Sequence, residues 1–234
     1  MMSDEQIVDR VRKEGACCIP DFLTEAELAE ARTDLDQACT DMGHGDQQPE
    51  TRARLGDRSL LNYPGLARIY DHPRTIKLSA ILTEDADPFL QEMVANRFYP
   101  PFVVMQPHLD EDFGLVPPFM RVTWALFLDD ISAESGALQY APGTHWRNYV
   151  DENDPDKLRP TQAEIQAADY VPIELSAGAL ILRASDVWHC VKPIHHLRRY
   201  VTGSYISRTR MTPWFKENVE KQIAERRAGN VEEA

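Results

Sequence analysis

An imidazole and a carboxylate two residues apart, His108 and Asp110, close the run V-V-M-Q-P-H-L-D that begins at Val103. The β-branched lead-in predicts an extended chain, on which residues i and i+2 project from the same face. Both groups then aim at one point. Two ligands leave a metal site incomplete, and a second imidazole, His189, appears at the end of the strand-like run A-L-I-L-R-A-S-D-V-W-H. Two histidines and one carboxylate on one face of a metal form the facial triad of non-haem Fe(II) oxygenases, which leaves positions open for a co-substrate and O2. A lone histidine is more often structural than a ligand, and H-x-D alone is a weak signal. The combination carries the argument, together with a basic pair, Arg198 and Arg199, placed after His189 where an oxoacid would need a cation.

These residues need a rigid frame, and the chain supplies it in two parts. Ile7, Val8 and Val11 sit at helical spacing in residues 4–14, with Gly15 as a stop, and A-C-C-I-P then predicts a strand. Thr24 followed by Glu27 is a capping box that opens a helix running to about Met42, with Leu28, Ala31, Leu35 and Ala38 on its buried stripe. Residues 44–57 are polar and predict a loop; helices are expected near 74–82 and 88–95. After Asn96 the pattern changes to strand period for about a hundred residues, so helices (mostly 1–96 and 213–229) pack on a β core at about 97–207. Within it, 119–128, 137–141, 170–175, 179–183, 187–191 and 199–206 read as strands. Residues 111–118 form a loop beside the expected metal, and 146–169 form an insertion or lid.

Composition narrows the class. The 234 residues, 43% hydrophobic, suffice for one full core with no linker dividing it, so 1–234 is read as a single domain. A net charge of −13 argues against nucleic acid or an anionic membrane surface as partner. No run approaches a membrane span and no leader pattern is present, which predicts a cytoplasmic protein; the oligomeric state is left open. Cys17, Cys18, Cys39 and Cys190 match no zinc spacing and are read as reduced core residues.

The chain resembles the phytanoyl-CoA dioxygenase family of Fe(II)- and 2-oxoglutarate-dependent oxygenases. The resemblance rests on G-A-C-C-I-P-D-F-L-T-E-A-E-L, His108-Leu109-Asp110, W-A-L-F-L-D-D with Trp124, S-G-A-L-Q-Y-A-P-G-T-H, and Trp188-His189 with arginine following, in family order from Gly15 to Ser207. It implies a mainly β fold with flanking helices, a double-stranded β-helix or jelly-roll barrel like that of the cupins. It implies His108, Asp110 and His189 as iron ligands, Arg198 as the anchor of the distal 2-oxoglutarate carboxylate, and Fe(II), 2-oxoglutarate and O2 as cofactors. A guanidinium suits that carboxylate because its planar fork of donors stays charged. Arg199 points the other way on a strand, and the short spacing from His189 leaves the choice between the two open. Thr202 and Ser204 share the parity of Arg198. Gln106 shares that of His108, subject to distortion by Pro107. Trp124 stands either beside the co-substrate or in the core, and His145 and Trp146 are candidate substrate contacts near the mouth.

The activity so implied is hydroxylation of a small-molecule metabolite with release of succinate and CO2. Because residue 110 is a carboxylate and not a small non-ligand, halogenation is not expected. Two other readings keep the barrel: a cupin-like metal enzyme that does not use 2-oxoglutarate, against which Arg198 argues, and a non-catalytic binding module, against which an intact triad argues.

Overall fold

The computed structural model describes residues 2–45, 49–56, 58–102, 105–110, 119–147, 160–211 and 216–217. In chain order the elements are α1 (Asp4–Glu14), β1 (Ala16–Ile19), α2 (Glu25–Asp41), β2 (Arg52–Leu55), α3 (Pro64–Tyr70), α4 (Pro73–Thr83), β3 (Phe89–Phe98), β4 (Met105–His108), β5 (Arg121–Phe127), β6 (Leu138–Tyr140), α5 (Gln162–Gln166), β7 (Val171–Pro172), β8 (Leu180–Ala184), β9 (His189–Val191) and β10 (Arg198–Ile206). Short 3-10 turns lie at Arg58–Asn62, Ala133–Ser135 and Thr144–Arg147.

Two antiparallel sheets face each other. The larger has the order β1-β8-β5-β10-β3-β2 and the smaller β4-β9-β6-β7. Strands far apart in sequence are neighbours in both sheets. This is the double-stranded β-helix that the resemblance implies.

Helices α1 to α4 cover the outer face of the larger sheet, whereas α5 packs beside β4 of the smaller one. Ser3 and Thr24 cap α1 and α2 through reciprocal side-chain to backbone bonds, which satisfy amides the first turn leaves orphaned. From α1, Ile7, Val8 and Val11 are buried against this layer, each worth about 1.5–3 kcal/mol of transfer free energy. Facing them are Val122, Trp124 and Leu126 of β5 and Leu180 and Leu182 of β8. A second apolar cluster, including Phe98, Phe127, Leu138, Ile181 and Val191, fills the space between the sheets. Asp36 of α2 pins the helical layer to the sheet by pairing with Arg97 (3.1 Å) and Arg199 (2.8 Å).

Three expectations need correction. Residues 44–57 are not loop throughout: β2 pairs with β3 and buries Ala53 and Leu55, although its alternating arginines carry no strong strand signal. The helix expected near 88–95 is instead the first half of β3, held in register along β10 from Phe89–Ile206 to Phe98–Arg198. Extended pairing with β10, joined by β2 from Ala95 onward, overrides the helix-compatible spacing of F-L-Q-E-M-V-A-N. The division at residues 96 and 97 into a helical and a β part therefore fails, since β1, β2 and most of β3 precede it. The loop at 111–118, half of the expected lid (148–159) and nearly all of the expected C-terminal helix lie outside the described residues. Cys17, Cys18, Cys39 and Cys190 are free thiols.

Candidate metal centre

His108 and His189 are direct cross-strand partners on β4 and β9. Their rings lie 4.3 Å apart, and Asp110 stands just past the end of β4. One ligand atom from each of the three falls within 4.8 Å of the others. Asp110 Oδ1 is 3.7 Å from His108 Nε2 and 3.5 Å from His189 Nε2, so three donor atoms converge.

Local backbone geometry sets which atoms they present. His108 Nδ1 lies 2.7 Å from the Gln106 carbonyl and His189 Nδ1 lies 2.9 Å from the Val187 carbonyl. A carbonyl only accepts, so each Nδ1 carries the proton and each Nε2 keeps its lone pair for a metal. Burial, reinforced by Arg183, pulls the His189 imidazole below its ordinary value and keeps it neutral. Burial alone would raise the Asp110 carboxyl, but the charge of the neighbouring Arg183 guanidinium outweighs it and holds the group well below the carboxylate range. Asp110 divides its oxygens: Oδ1 faces the histidines, while Oδ2 accepts a hydrogen bond from Arg183 Nη2. These residues fit a divalent metal in donor type, tautomer and charge.

Two members of the triad border a cavity of about 300 Å3 between the sheets. Asp110, His189 and Arg183 line it, as do Arg198 and Thr202. Arg198 is 4% exposed and donates through Nη1 to the Gly136 carbonyl at 2.8 Å. Its guanidinium lies 5.0 Å from the Phe127 ring and 5.2 Å from the Tyr200 ring. It has no carboxylate partner among the described residues, and its Nε has no hydrogen bond. Arg199 projects from the opposite face and is engaged by Asp129 and Asp36. Of the two, only Arg198 faces the cavity. The Thr202 hydroxyl already donates to the Trp124 carbonyl at 2.6 Å, whereas Ser204 is enclosed and does not line the space.

Several candidate residues lie elsewhere. Trp124 packs on the helical side of β5, with its ring 5.6 Å from that of Tyr70, so it cannot stand beside a co-substrate. The cavity face of that strand belongs to Arg121, Thr123, Ala125 and Phe127. Gln106 is exposed, because the β4–β9 register shifts between Met105 and His108, and Met105 lines the cavity in its place. The His145 ring and the Trp146 indole both turn to the Arg12 carbonyl of α1, at 3.1 and 2.9 Å, and neither lines the cavity. Arg183 and Arg121 were not singled out from the sequence. A period-2 count backward from the ligands would have found Arg183, six residues before His189.

The model of the phytanoyl-CoA dioxygenase family matches residues 11–195, most of the chain and all three members of the triad. The chain belongs to that family. Its cofactors are Fe(II), 2-oxoglutarate and O2. Arg198 and Thr202 lie just past the matched segment. An uncharacterized protein of Mycobacterium tuberculosis is 26% identical over 200 residues, which cover 79% of this chain and 68% of that one. Among solved structures, AviO1 from Streptomyces viridochromogenes Tue57 superposes with a TM-score of 0.72 at 14% identity, covering 91% of this chain and 98% of that one. The epimerase SnoN of nogalamycin biosynthesis, in complex with Fe3+, alpha ketoglutarate and nogalamycin RO, has a TM-score of 0.67 at 19% identity over 87% of this chain and 83% of that one. HygX from Streptomyces hygroscopicus, with nickel and 2-oxoglutarate bound, has a TM-score of 0.68 at 16% identity over 88% of each chain. At these identities the likeness is one of fold.

Proposed function

We propose that this family member hydroxylates a small-molecule metabolite, coupling the reaction to conversion of 2-oxoglutarate into succinate and CO2. His108, Asp110 and His189 hold the metal, and Arg198 takes the distal carboxylate of 2-oxoglutarate. The observation that carries this reading is the state of Arg198: a buried cation without an anion among the described residues, lining the same cavity as Asp110 and His189 of the converged triad. An unpaired buried charge costs several kcal/mol, and an anionic ligand relieves that cost.

When bound, Fe(II) with 2-oxoglutarate and O2 supplies the oxidising power to convert an unactivated C–H bond to C–OH, one oxygen atom going to the substrate and the other to succinate. The chain's residues prepare the site. With Nδ1 of each turned to a backbone carbonyl, both histidines present Nε2 to a metal, and Arg183 keeps Asp110 ionised and turns one of its oxygens toward them. Apolar walls from Val94, Ala125, Phe127 and Val191 limit water near the reacting bond.

Anaerobic addition of Fe(II) and 2-oxoglutarate should give a weak metal-to-ligand charge-transfer band, and His189→Ala should abolish it. A band that survives the substitution removes His189 from the metal. Candidate metabolites are then screened for stimulated succinate release. A product with one added oxygen supports hydroxylation, whereas unchanged mass or loss of two hydrogens indicates an outcome like those of an epimerase or a cyclase.

A further inference from the structure

We propose that the substrate carries an oxyanion, a carboxylate or a phosphate, at one end of an apolar body, and that this oxyanion docks on Arg52 and Asn96 at the β2 edge of the larger sheet. The inference rests on the 2-oxoglutarate reading above and goes beyond it to the class of the other substrate.

Five of the described residues lining the cavity are arginines: Arg52, Arg54, Arg121, Arg183 and Arg198. Arg183 is paired with Asp110, and Glu92 accepts from both Arg121 (2.9 Å) and Arg54 (3.2 Å), so both carboxylates of the described wall are taken. With its distal carboxylate on Arg198 and its keto-acid end at the metal, 2-oxoglutarate has no anion left for Arg52. That guanidinium lies 5.0 Å from the Phe98 ring and donates through Nη2 to Asn96 Oδ1 at 3.1 Å. Its Nε and Nη1 have no partner, and no carboxylate pairs with it, among the described residues. Asn96 is 1% exposed and lines the cavity. A guanidinium only donates, so the amide oxygen of Asn96 faces Arg52, and Nδ2 is left without a partner among the described residues. Directly opposite Asn96 on β10, Tyr200 adds a hydroxyl that is likewise unpartnered there. A cation and an amide with only donors to offer take a negatively charged ligand that only accepts, and the planar fork of Arg52 suits an oxyanion. Because β2 is an edge strand and the outer side of Arg52 meets solvent, the position is open to a ligand.

Strand register keeps this position apart from Arg198 and from the triad. Arg52 on β2 and Arg198 on β10 both pair with Phe98 of the strand between them. Each side chain reaches one strand further in the same direction, Arg52 to Phe98 and Arg198 to Phe127, so about two strand spacings, roughly 10 Å, separate the guanidiniums. Arg183, the partner of Asp110, pairs with Thr123, Thr123 with Ser204, and Ser204 with Glu92. That row meets β3 four residues from Asn96, about 13 Å along the strand. Val94, Thr202 and Ala125 fill the row between and line the cavity. An oxyanion held by Arg52 therefore brings a carbon to the triad only through a body of comparable length lying over Val94 and Ala125. The ligand class is an organic acid or phosphate ester with an apolar middle, not a compact acid of a few carbons.

4-Phenylbutyrate and phenyl phosphate serve as probes, with 4-phenylbutanol as the uncharged control, titrated calorimetrically at low ionic strength into protein loaded with nickel and saturating 2-oxoglutarate, which keeps Arg198 occupied. At least one anion should bind about tenfold more tightly than the alcohol, and the tighter of the two distinguishes a carboxylate from a phosphate substrate. Arg52→Gln, at an exposed position, should weaken that anion about tenfold to a hundredfold, leave the alcohol unchanged and keep 2-oxoglutarate affinity within about twofold. Arg52→Lys should restore part of the loss, and Asn96→Ala should weaken the anion independently. Unchanged anion affinity in Arg52→Gln, a matching loss of 2-oxoglutarate affinity in that variant, or absence of anion binding while the charge-transfer band forms would each overturn the proposal. Arg52-dependent anion binding by protein that forms no band keeps the site and overturns the co-substrate reading instead.

Discussion

Replacing Arg198 by methionine should separate ligand binding from stability, because the two effects have opposite sign. In the ligand-free protein the guanidinium is buried without a counter-charge among the described residues, at a cost of several kcal/mol. Methionine removes that cost and keeps most of the volume. It also gives up the hydrogen bond to the Gly136 carbonyl, worth about 1–3 kcal/mol when the acceptor is left buried, and the contacts with Phe127 and Tyr200, worth about 0.5–2 kcal/mol. These terms nearly cancel, so the stability of the apo protein in urea should change by no more than about 1 kcal/mol, or rise. The 2-oxoglutarate complex loses its charged partner, about 2–5 kcal/mol or roughly one and a half to three and a half decades of affinity. 2-oxoglutarate at a hundred times the wild-type Kd should add about 2.7 kcal/mol to the wild type and less than about 0.9 kcal/mol to the variant. Arg199→Ala is the mirror control: it breaks the pairs with Asp129 and Asp36, lowers stability and leaves the affinity alone. An Arg198→Met protein that is several kcal/mol less stable yet binds 2-oxoglutarate normally would refute the reasoning and make Arg198 structural.

Arg183→Gln should weaken Fe(II) binding about tenfold to a hundredfold in anaerobic titrations, since it releases the Asp110 oxygen that faces away from the histidines; unchanged affinity would deny it that role. Gly203→Ala should cost about 1–3 kcal/mol in urea melts, because a Cβ there would lie 2.6 Å from the Trp124 ring and 2.9 Å from the Glu92 carbonyl. Burial pushes the Asp186 carboxyl up to about 7, so its proton is bound more tightly in the folded state than in the unfolded chain. Stability from this group is complete below the unfolded value near 3.8 and is lost as pH rises through about 7. Asp186→Asn should therefore flatten the dependence over that window and raise stability at pH 8 by roughly 1–3 kcal/mol, as read from melting curves. Asp110→Gly should weaken iron binding and suppress hydroxylation while opening a position to an anion; a chlorinated product from the unmodified protein in excess chloride would contradict the ligand assignment.

Local chemistry made part of this protein legible in one dimension. The stop at Gly15 and the cap at Thr24 act within four residues, so α1 and α2 lie within a residue or two of expectation. His108, Asp110 and His189 stood out because imidazoles and carboxylates at the ends of apolar runs need a reason to be there. Which face of a strand points inward was another matter. In R-V-T-W-A-L-F one side packs on helices and the other on the cavity, so both are largely buried and no hydrophobic alternation marks the inner one. Trp124 was therefore as plausible on one side as on the other, and only the helices covering β5 exclude it from the site. The register shift in β4 moved Gln106 outward in the same way. Between Arg198 and Arg199 the choice fell to Asp36 and Asp129, 163 and 70 residues away, which claim the second arginine for the outer face. The cationic wall was the least visible feature. Arginine in sequence is by default a solvated residue, and Arg54, Arg121 and Arg183 share one cavity only because β2, β5 and β8 are brought into a single sheet by pairings that no local pattern encodes.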